Sequence, residues 1–301
     1  MTAESKPKSP IASDLTQMRV ALSLQCSRCG YDIRNLAADG DCPECGKPIR
    51  LTIIEVVDPT TQRLEPIHNQ KLIANSIFGI VFFYFLSTIL AVLVLVTTAP
   101  DSLPIPDSVR QIPQTGFMWI SSACGFVSLL NLVPIIKMCK SNKLHGCKQG
   151  IAMTFLGLAI WSVSMILIAI VLLSGQFNTT SVTMILEICV PVIAAALVFS
   201  GFRKLVPRLG QRSRAFRQAQ GSRQRMNDLL AALVVVIIGR VLIAVSPEES
   251  NLSMFGLIIT VMSLTLIVVG LGYLLRNVLW IRKALITPPP ALTELLRPIS
   301  P

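Results

Sequence analysis

The sequence predicts a mainly α-helical membrane protein, in which a six-helix transmembrane bundle follows a small N-terminal β ribbon. Two observations predict this fold class. Two Cys-x-x-Cys-Gly motifs lie within residues 26–46, and six long apolar segments follow within residues 72–275. The 301-residue chain is 52% hydrophobic and only 14% charged, whereas about 25% of the residues in a soluble protein are charged.

The N-terminal region divides into three predicted segments. Residues 1–18 are polar and contain prolines, so we expect a disordered tail. Residues 19–57 hold four cysteines between two stretches, 19–25 and 49–57, which we expect to form the strands of the ribbon. Residues 58–71 are predicted to be a polar linker. No apolar segment typical of a signal peptide precedes the ribbon, so we expect the ribbon to lie in the cytosol.

The cysteines follow the spacing C-x2-C-x12-C-x2-C, as Cys26, Cys29, Cys42 and Cys45. Two thiolates three residues apart can bind one ion, and two such pairs complete a tetrahedral shell of four sulfurs. A glycine follows each pair and permits the tight turn that directs backbone N–H groups toward the sulfurs. The spacing therefore predicts a metal site. Because four thiolates leave no open position, we expect a structural or protein-docking role rather than catalysis.

Two families share parts of this pattern. C-x-x-C-G-Y followed by C-P-x-C-G resembles the two metal-binding turns of rubredoxins, which bind iron for electron transfer. Rubredoxins pack several aromatic residues around the iron, whereas this stretch contains only one aromatic residue, Tyr31. C-x-x-C-G-Y-D-I-R-x-L with the later C-P-E-C-G resembles more closely the short zinc ribbon near the N-terminus of uncharacterised bacterial multi-pass membrane proteins. This resemblance covers about 25 residues and implies no activity. Zinc is the predicted metal, with iron as the alternative.

Six apolar segments are close to the roughly 20 residues that a helix needs to cross a bilayer. The predicted spans are Leu72–Thr98, Phe117–Ile136, Ile151–Leu173, Val182–Ser200, Leu229–Val245 and Met254–Leu275. They define a predicted transmembrane domain over residues 72–285, followed by a Pro-rich tail over 286–301.

Basic residues alternate between the loops. The loops after the second and fourth spans and the region from Arg276 onward carry four, eight and four Lys or Arg, and the other three loops carry one, none and none. Because cytoplasmic loops are enriched in Lys and Arg, this pattern predicts an inner-membrane protein with both termini in the cytosol. The net charge of +11 then reflects loops facing anionic lipid. The first 71 residues carry nine basic and nine acidic residues, so we expect no nucleic acid partner.

Two ionisable residues lie inside predicted spans: Glu187 in the fourth and Arg240 in the fifth. A charge within the hydrocarbon region is costly, and this cost suggests a function or a pairing partner. The two side chains can form an ion pair between neighbouring helices, or each can extend to the head groups. A transport or proton-relay role is the further alternative.

Three functional hypotheses follow. The first is a non-enzymatic protein of the lipid bilayer whose zinc ribbon is structural or binds a cytosolic protein partner. The second is a small-solute transporter built from the six spans. The third, a membrane-embedded enzyme, has the least support, because the chain contains no hydrolase, zincin or phosphate-loop motif.

Overall fold

The computed structural model describes residues 17–62, 64, 67, 69–97, 114–141, 147–174, 189–219, 225–246, 250–290 and 292–298. The chain forms two compact units, Met1–Pro66 with Thr287–Pro301 and Ile67–Ile286. We refer to the first as the terminal unit, because both ends of the chain belong to it, and to the second as the helical unit.

The elements are named in chain order. They are β1 (Met18–Val20), α1 (Ile49–Val56), α2 (Pro59–Gln62), α3 (Gln70–Thr97), α4 (Gln114–Leu130), α5 (Leu132–Ser141), α6 (Cys147–Ser174), α7 (Val190–Gly210), α8 (Arg214–Gln218), α9 (Met226–Val245), α10 (Asn251–Ile286), α11 (Leu292–Leu295) and β2 (Leu296–Pro298).

The terminal unit differs from the predicted ribbon in its second half. The predicted strand over residues 49–57 is wrong, because α1 occupies this stretch. Ile49, Thr52 and Ile53 are buried at helical spacing, and the β-branched Ile54 is exposed. Packing of one helical face against the cysteine-containing core therefore outweighs the strand preference of these residues.

The partner of β1 comes from the other end of the chain. β1 and β2 form an antiparallel pair in which Met18 lies opposite Pro298 and Val20 lies opposite Leu296. The backbone N–H of Ala21 also donates to the carbonyl of Leu295, with an N···O distance of 2.7 Å. Residues 292–298, which lie within the predicted Pro-rich tail over 286–301, are therefore a folded part of the terminal unit.

Within the described residues, six helices of the helical unit are long and apolar enough to cross a membrane. They correspond to α3, α4 with α5, α6, α7, α9 and α10, which agrees with the number of predicted spans. The second of them is interrupted at Asn131. Pro134 explains the interruption, because its missing N–H cannot bond the carbonyl of Leu130.

The fourth span lies further along the chain than the sequence suggested. α7 continues through Gly210, whereas the predicted span Val182–Ser200 ended ten residues earlier. Phe202, Leu205 and Leu209 are buried and continue the apolar face of the helix into the basic loop. Residues 182–188 of the predicted span lie outside the described residues.

The six helices pack as a ring in chain order. α3 contacts α4, α4 contacts α6, α6 contacts α7, α7 contacts α9, α9 contacts α10, and α10 contacts α3. Small and hydroxylated residues lie at these contacts. On one side of the ring, Ser87 and Ser121 lie 2.8 Å apart through their hydroxyl oxygens, and the indole N–H of Trp161 donates to Ser87 Oγ at 2.7 Å. These bonds satisfy polar groups that lipid could not satisfy.

Candidate metal centre

The two cysteine pairs fold into matching turns. In the first, the N–H of Cys26 donates to the carbonyl of Tyr31, and the N–H of Gly30 donates to the carbonyl of Cys26. In the second, the same two bonds join Cys42 to Lys47 and Gly46 to Cys42. Both glycines have left-handed backbone angles, with φ of 77° and 67°, which side-chain-bearing residues rarely adopt.

The matching turns bring the four sulfur atoms together. The Sγ atoms of Cys26, Cys29, Cys42 and Cys45 all lie within 4.8 Å of one another. The Cys26–Cys45 and Cys29–Cys42 sulfur distances are both 3.6 Å. A tetrahedron with metal–sulfur bonds of about 2.3 Å has edges of about 3.8 Å, so one ion at the centre of the four sulfurs fits the observed spacing.

Two thiols of the cluster, those of Cys26 and Cys29, have pKa values shifted in opposite directions. Hydrogen bonds from the backbone N–H groups of Arg28 and Cys29 lower the pKa of Cys26 to about 6. The backbone N–H of Tyr31 lowers the pKa of Cys29, but desolvation and the neighbouring thiols of Cys45, Cys42 and Cys26 outweigh it and raise this pKa to about 12. A cation bound among the sulfurs would stabilise the thiolate forms of Cys26 and Cys29, because metal ligands must be deprotonated.

The surroundings hold the turns in place. Cys26 and Cys42 are buried in one apolar core with Ile49 and Ile53 of α1. Lys47 in the second turn forms a 3.0 Å ion pair with Glu55 of α1. Asp32 follows the first turn in the sequence. Its carboxylate accepts hydrogen bonds from the backbone N–H groups of Arg34 and Leu24 and from the Ser23 hydroxyl. These bonds lower the pKa of Asp32.

The same core also contains the C-terminal segment. Leu295 and Leu296 are 1% and 5% exposed, and they belong to the cluster of buried residues that includes Cys26 and Cys42. Sequence reasoning missed these two leucines, because a pair of leucines among prolines near a chain end has no periodicity that could indicate burial.

The two ionisable residues of the predicted spans, Glu187 and Arg240, differ in what the structure describes. Glu187 lies outside the described residues, so its pairing with Arg240 stays a prediction. Arg240 is half-buried and borders a cavity of about 140 Å³ inside the ring of helices. All six helices contribute to the wall of this cavity. The sequence did not predict it, because each helix contributes only a few ordinary apolar side chains.

The fold and the site together define a class: a helical protein whose described residues include six helices long and apolar enough to cross a membrane and a four-cysteine cluster that could hold a metal ion. No family model, curated protein or solved structure matches the chain.

Proposed function

We propose that this chain is an integral protein of the cytoplasmic membrane with six spans and cytosolic termini, and that its zinc ribbon is a structural clasp that joins the two ends of the chain. The observation that carries this proposal is the pairing of β1 with β2, together with the burial of Leu295 and Leu296 against the cysteine core. On this proposal the C-terminal segment packs against the ribbon within the same chain, and the cytosolic protein partner that the sequence suggested stays a prediction.

The clasp needs its metal for a simple reason. The described part of the terminal unit buries only a small apolar core of eleven residues, two of which are the cysteines Cys26 and Cys42. A core of this size rarely stabilises a domain by itself. A structural zinc ion contributes on the order of 10 kcal/mol in small domains, so we expect the terminal unit to depend on its metal for stability.

Zinc suits the site better than iron. A closed shell of four sulfurs is typical of structural zinc. Iron sites for electron transfer depend on an apolar shell that tunes the potential. Here Tyr31, the aromatic residue of the first turn, is 41% exposed, and Cys29 is exposed as well. These exposures support a structural ion rather than a redox centre.

The proposed topology has two independent supports. Basic residues alternate between the loops, and both chain ends fold into one unit, which requires an even number of crossings. A fluorescent protein that matures only in the cytosol, fused after residue 301, is expected to fluoresce in bacterial cells. Alkaline phosphatase, which is active only outside the cytosol, is expected to be active when fused after residue 105. The reverse pair of results would overturn the topology.

The clasp itself is tested at two adjacent residues of β2. Leu296→Asp places a charge in the cysteine core, whereas Arg297→Asp changes an exposed neighbour in the same strand. We expect only Leu296→Asp to release zinc to a chelator at least about tenfold faster. Hydrogen exchange in residues 17–38 should rise in the same variant. Equal zinc release from both variants, at the wild-type rate, would show that the C-terminal segment does not support the metal site.

A second candidate function is transport of a small solute. The specific observation in its favour is the cavity inside the ring, which all six helices border and which Arg240 touches. A charged residue beside a cavity in a membrane bundle is typical of a substrate or ion pathway.

A further inference from the structure

One wall of the cavity in the helical unit is an aromatic cluster around Tyr84 of α3. The Tyr84 ring lies edge-to-face against Trp161, with a centroid distance of 5.4 Å and an interplanar angle of 66°, and against Phe199 at 6.2 Å and 83°. All three residues border the cavity, and Met118 and Met165 border it as well. Aromatic rings and thioethers both make favourable contacts with a further aromatic ring, so this wall suits a flat aromatic ligand.

The Tyr84 hydroxyl is the unusual polar group of this wall. Tyr84 is fully buried, and within the described residues its hydroxyl has no hydrogen-bond partner. Thr88, the neighbouring polar side chain one turn along α3, also borders the cavity, but its hydroxyl donates to the backbone carbonyl of Tyr84. A buried hydroxyl without a partner is costly, so a ligand that pairs with Tyr84 gains a hydrogen bond without breaking an existing one.

The rest of the described wall offers apolar surface. Of the nineteen described residues that border the cavity, sixteen are apolar or aromatic, and none carries a carboxylate. The Thr260 hydroxyl donates to the carbonyl of Gly256, and Arg240 already interacts with another group of the protein. A charged ligand would lose its hydration here without gaining a free counter-ion. The wall therefore favours a neutral molecule, and its binding does not draw on Arg240.

The volume of the cavity sets the size of the ligand. The cavity measures about 140 Å³. An engineered apolar cavity of about 150 Å³ in another protein binds benzene, so the space between these helices fits one aromatic ring with a small substituent. A water molecule bonded to Tyr84 would fill only a small part of this volume and would leave the apolar wall uncovered.

We propose that this cavity binds a small neutral molecule of the phenol class, with its ring beside Tyr84, Trp161 and Phe199 and its oxygen hydrogen-bonded to the Tyr84 hydroxyl. The hydroxyl of such a ligand can donate or accept, and its ring extends the edge-to-face cluster. A hydrocarbon ring of the same size lacks the hydrogen bond, and a benzoate adds an unpaired charge. This inference rests on the second candidate function, for which it names a ligand class, and it does not depend on the zinc clasp.

The test follows the fluorine NMR signal of 4-fluorophenol added to the full-length protein in detergent micelles. Protein-free micelles give the reference for partitioning, which does not saturate. We expect saturable binding of one molecule per chain, displaced by phenol. The hydrocarbon analogue 4-fluorotoluene is expected to bind more weakly, and 4-fluorobenzoate is expected not to compete.

Tyr84→Phe removes the hydroxyl and keeps the ring. We expect this variant to weaken the binding of 4-fluorophenol at least about fivefold and to leave the binding of 4-fluorotoluene unchanged, because the hydrocarbon makes no hydrogen bond. Retained binding of 4-fluorotoluene shows that the cavity of the variant is intact. The matched control is Tyr273→Phe, since Tyr273 is exposed on α10 and does not border the cavity. This control should leave the binding of both ligands unchanged.

A second pair of variants tests the location. Ala195 borders the cavity, and the next residue on the same helix, the half-buried Ala196, does not. Ala195→Leu is expected to abolish 4-fluorophenol binding by filling the cavity, and Ala196→Leu is expected to retain it. Four results would overturn the proposal: no saturable binding to the wild-type protein, an equal effect of Tyr84→Phe on the two ligands, equal affinity for 4-fluorobenzoate, or unchanged binding in Ala195→Leu. Equilibrium binding does not require transport, and zinc content reports separately on the clasp, so failure here is distinguishable from failure of either candidate function.

Discussion

Replacing Cys42 and Cys45 together by serine is expected to remove the bound metal and to unfold the terminal unit, while the helical unit stays folded. The reason is geometric, because one remaining pair of thiolates cannot complete a tetrahedral shell. The loss is large, on the order of 10 kcal/mol, which is the contribution of structural zinc in small domains. Cys26→Ser with Cys29→Ser should have the same effect, since the two turns are equivalent in their hydrogen bonds.

The measurement combines metal analysis with hydrogen exchange on the full-length protein. Wild type is expected to hold one zinc ion per chain, and the double variants none. Protection should disappear both in residues 17–62 and in residues 292–298, because the two stretches share one core. Cys189→Ser is the matched control, since this exposed cysteine lies outside the cluster. Retention of protection in residues 292–298 after loss of zinc would contradict the proposed clasp. Iron in the purified protein would contradict the choice of metal.

The second large effect is expected at Gly201, where α6 and α7 approach each other closely. A Cβ at this position would overlap Thr154 Oγ1 and would lie 2.7 Å from the carbonyl oxygen of Gly150. A side-chain hydroxyl can rotate away, but a helix backbone cannot, so the two helices must separate. Gly201→Ala is therefore expected to lower the free energy of unfolding by about 3 kcal/mol, at the upper end of overpacking effects.

The control for this prediction is Gly116→Ala at the beginning of α4. A Cβ there would meet no atom within 4 Å, and alanine favours the helix, so stability should stay the same or rise. Thermal unfolding in detergent measures both variants. Thr154→Ala combined with Gly201→Ala should recover only part of the loss, because the Gly150 carbonyl remains in the way. Equal stability of the Gly201→Ala and Gly116→Ala variants would refute close backbone packing as the constraint.

Much of the fold could be predicted from local patterns. The spacing of the cysteines predicted the four residues whose sulfurs converge, and the number of apolar segments predicted the six long helices. Both predictions succeed because the determining feature is contained in a short stretch of chain. A pair of cysteines three residues apart can form a tight turn around an ion, and about 20 apolar residues satisfy their backbone in lipid only as a helix.

Local patterns failed where packing competes with intrinsic preference. The β-branched residues over 49–57 predict a strand. In the structure this stretch is helical, because a helix places Ile49 and Ile53 on one face, and this face packs into the cysteine core. The basic residues after Ser200 indicate a loop, but buried Phe202 and Leu205 continue α7 through them. In both places the contacts that decide the structure come from residues distant in the sequence.

The sequence by itself therefore determined the four cysteines that come together, the number of long apolar helices and the alternation of charge between the predicted loops. Tertiary structure alone decided that Met18 pairs with Pro298, that α10 closes the ring against α3, and that a cavity beside Arg240 remains inside it. The physical reason is common to all three. Each is a contact between segments far apart in the chain, and the periodicity of one segment does not specify which distant surface will cover it.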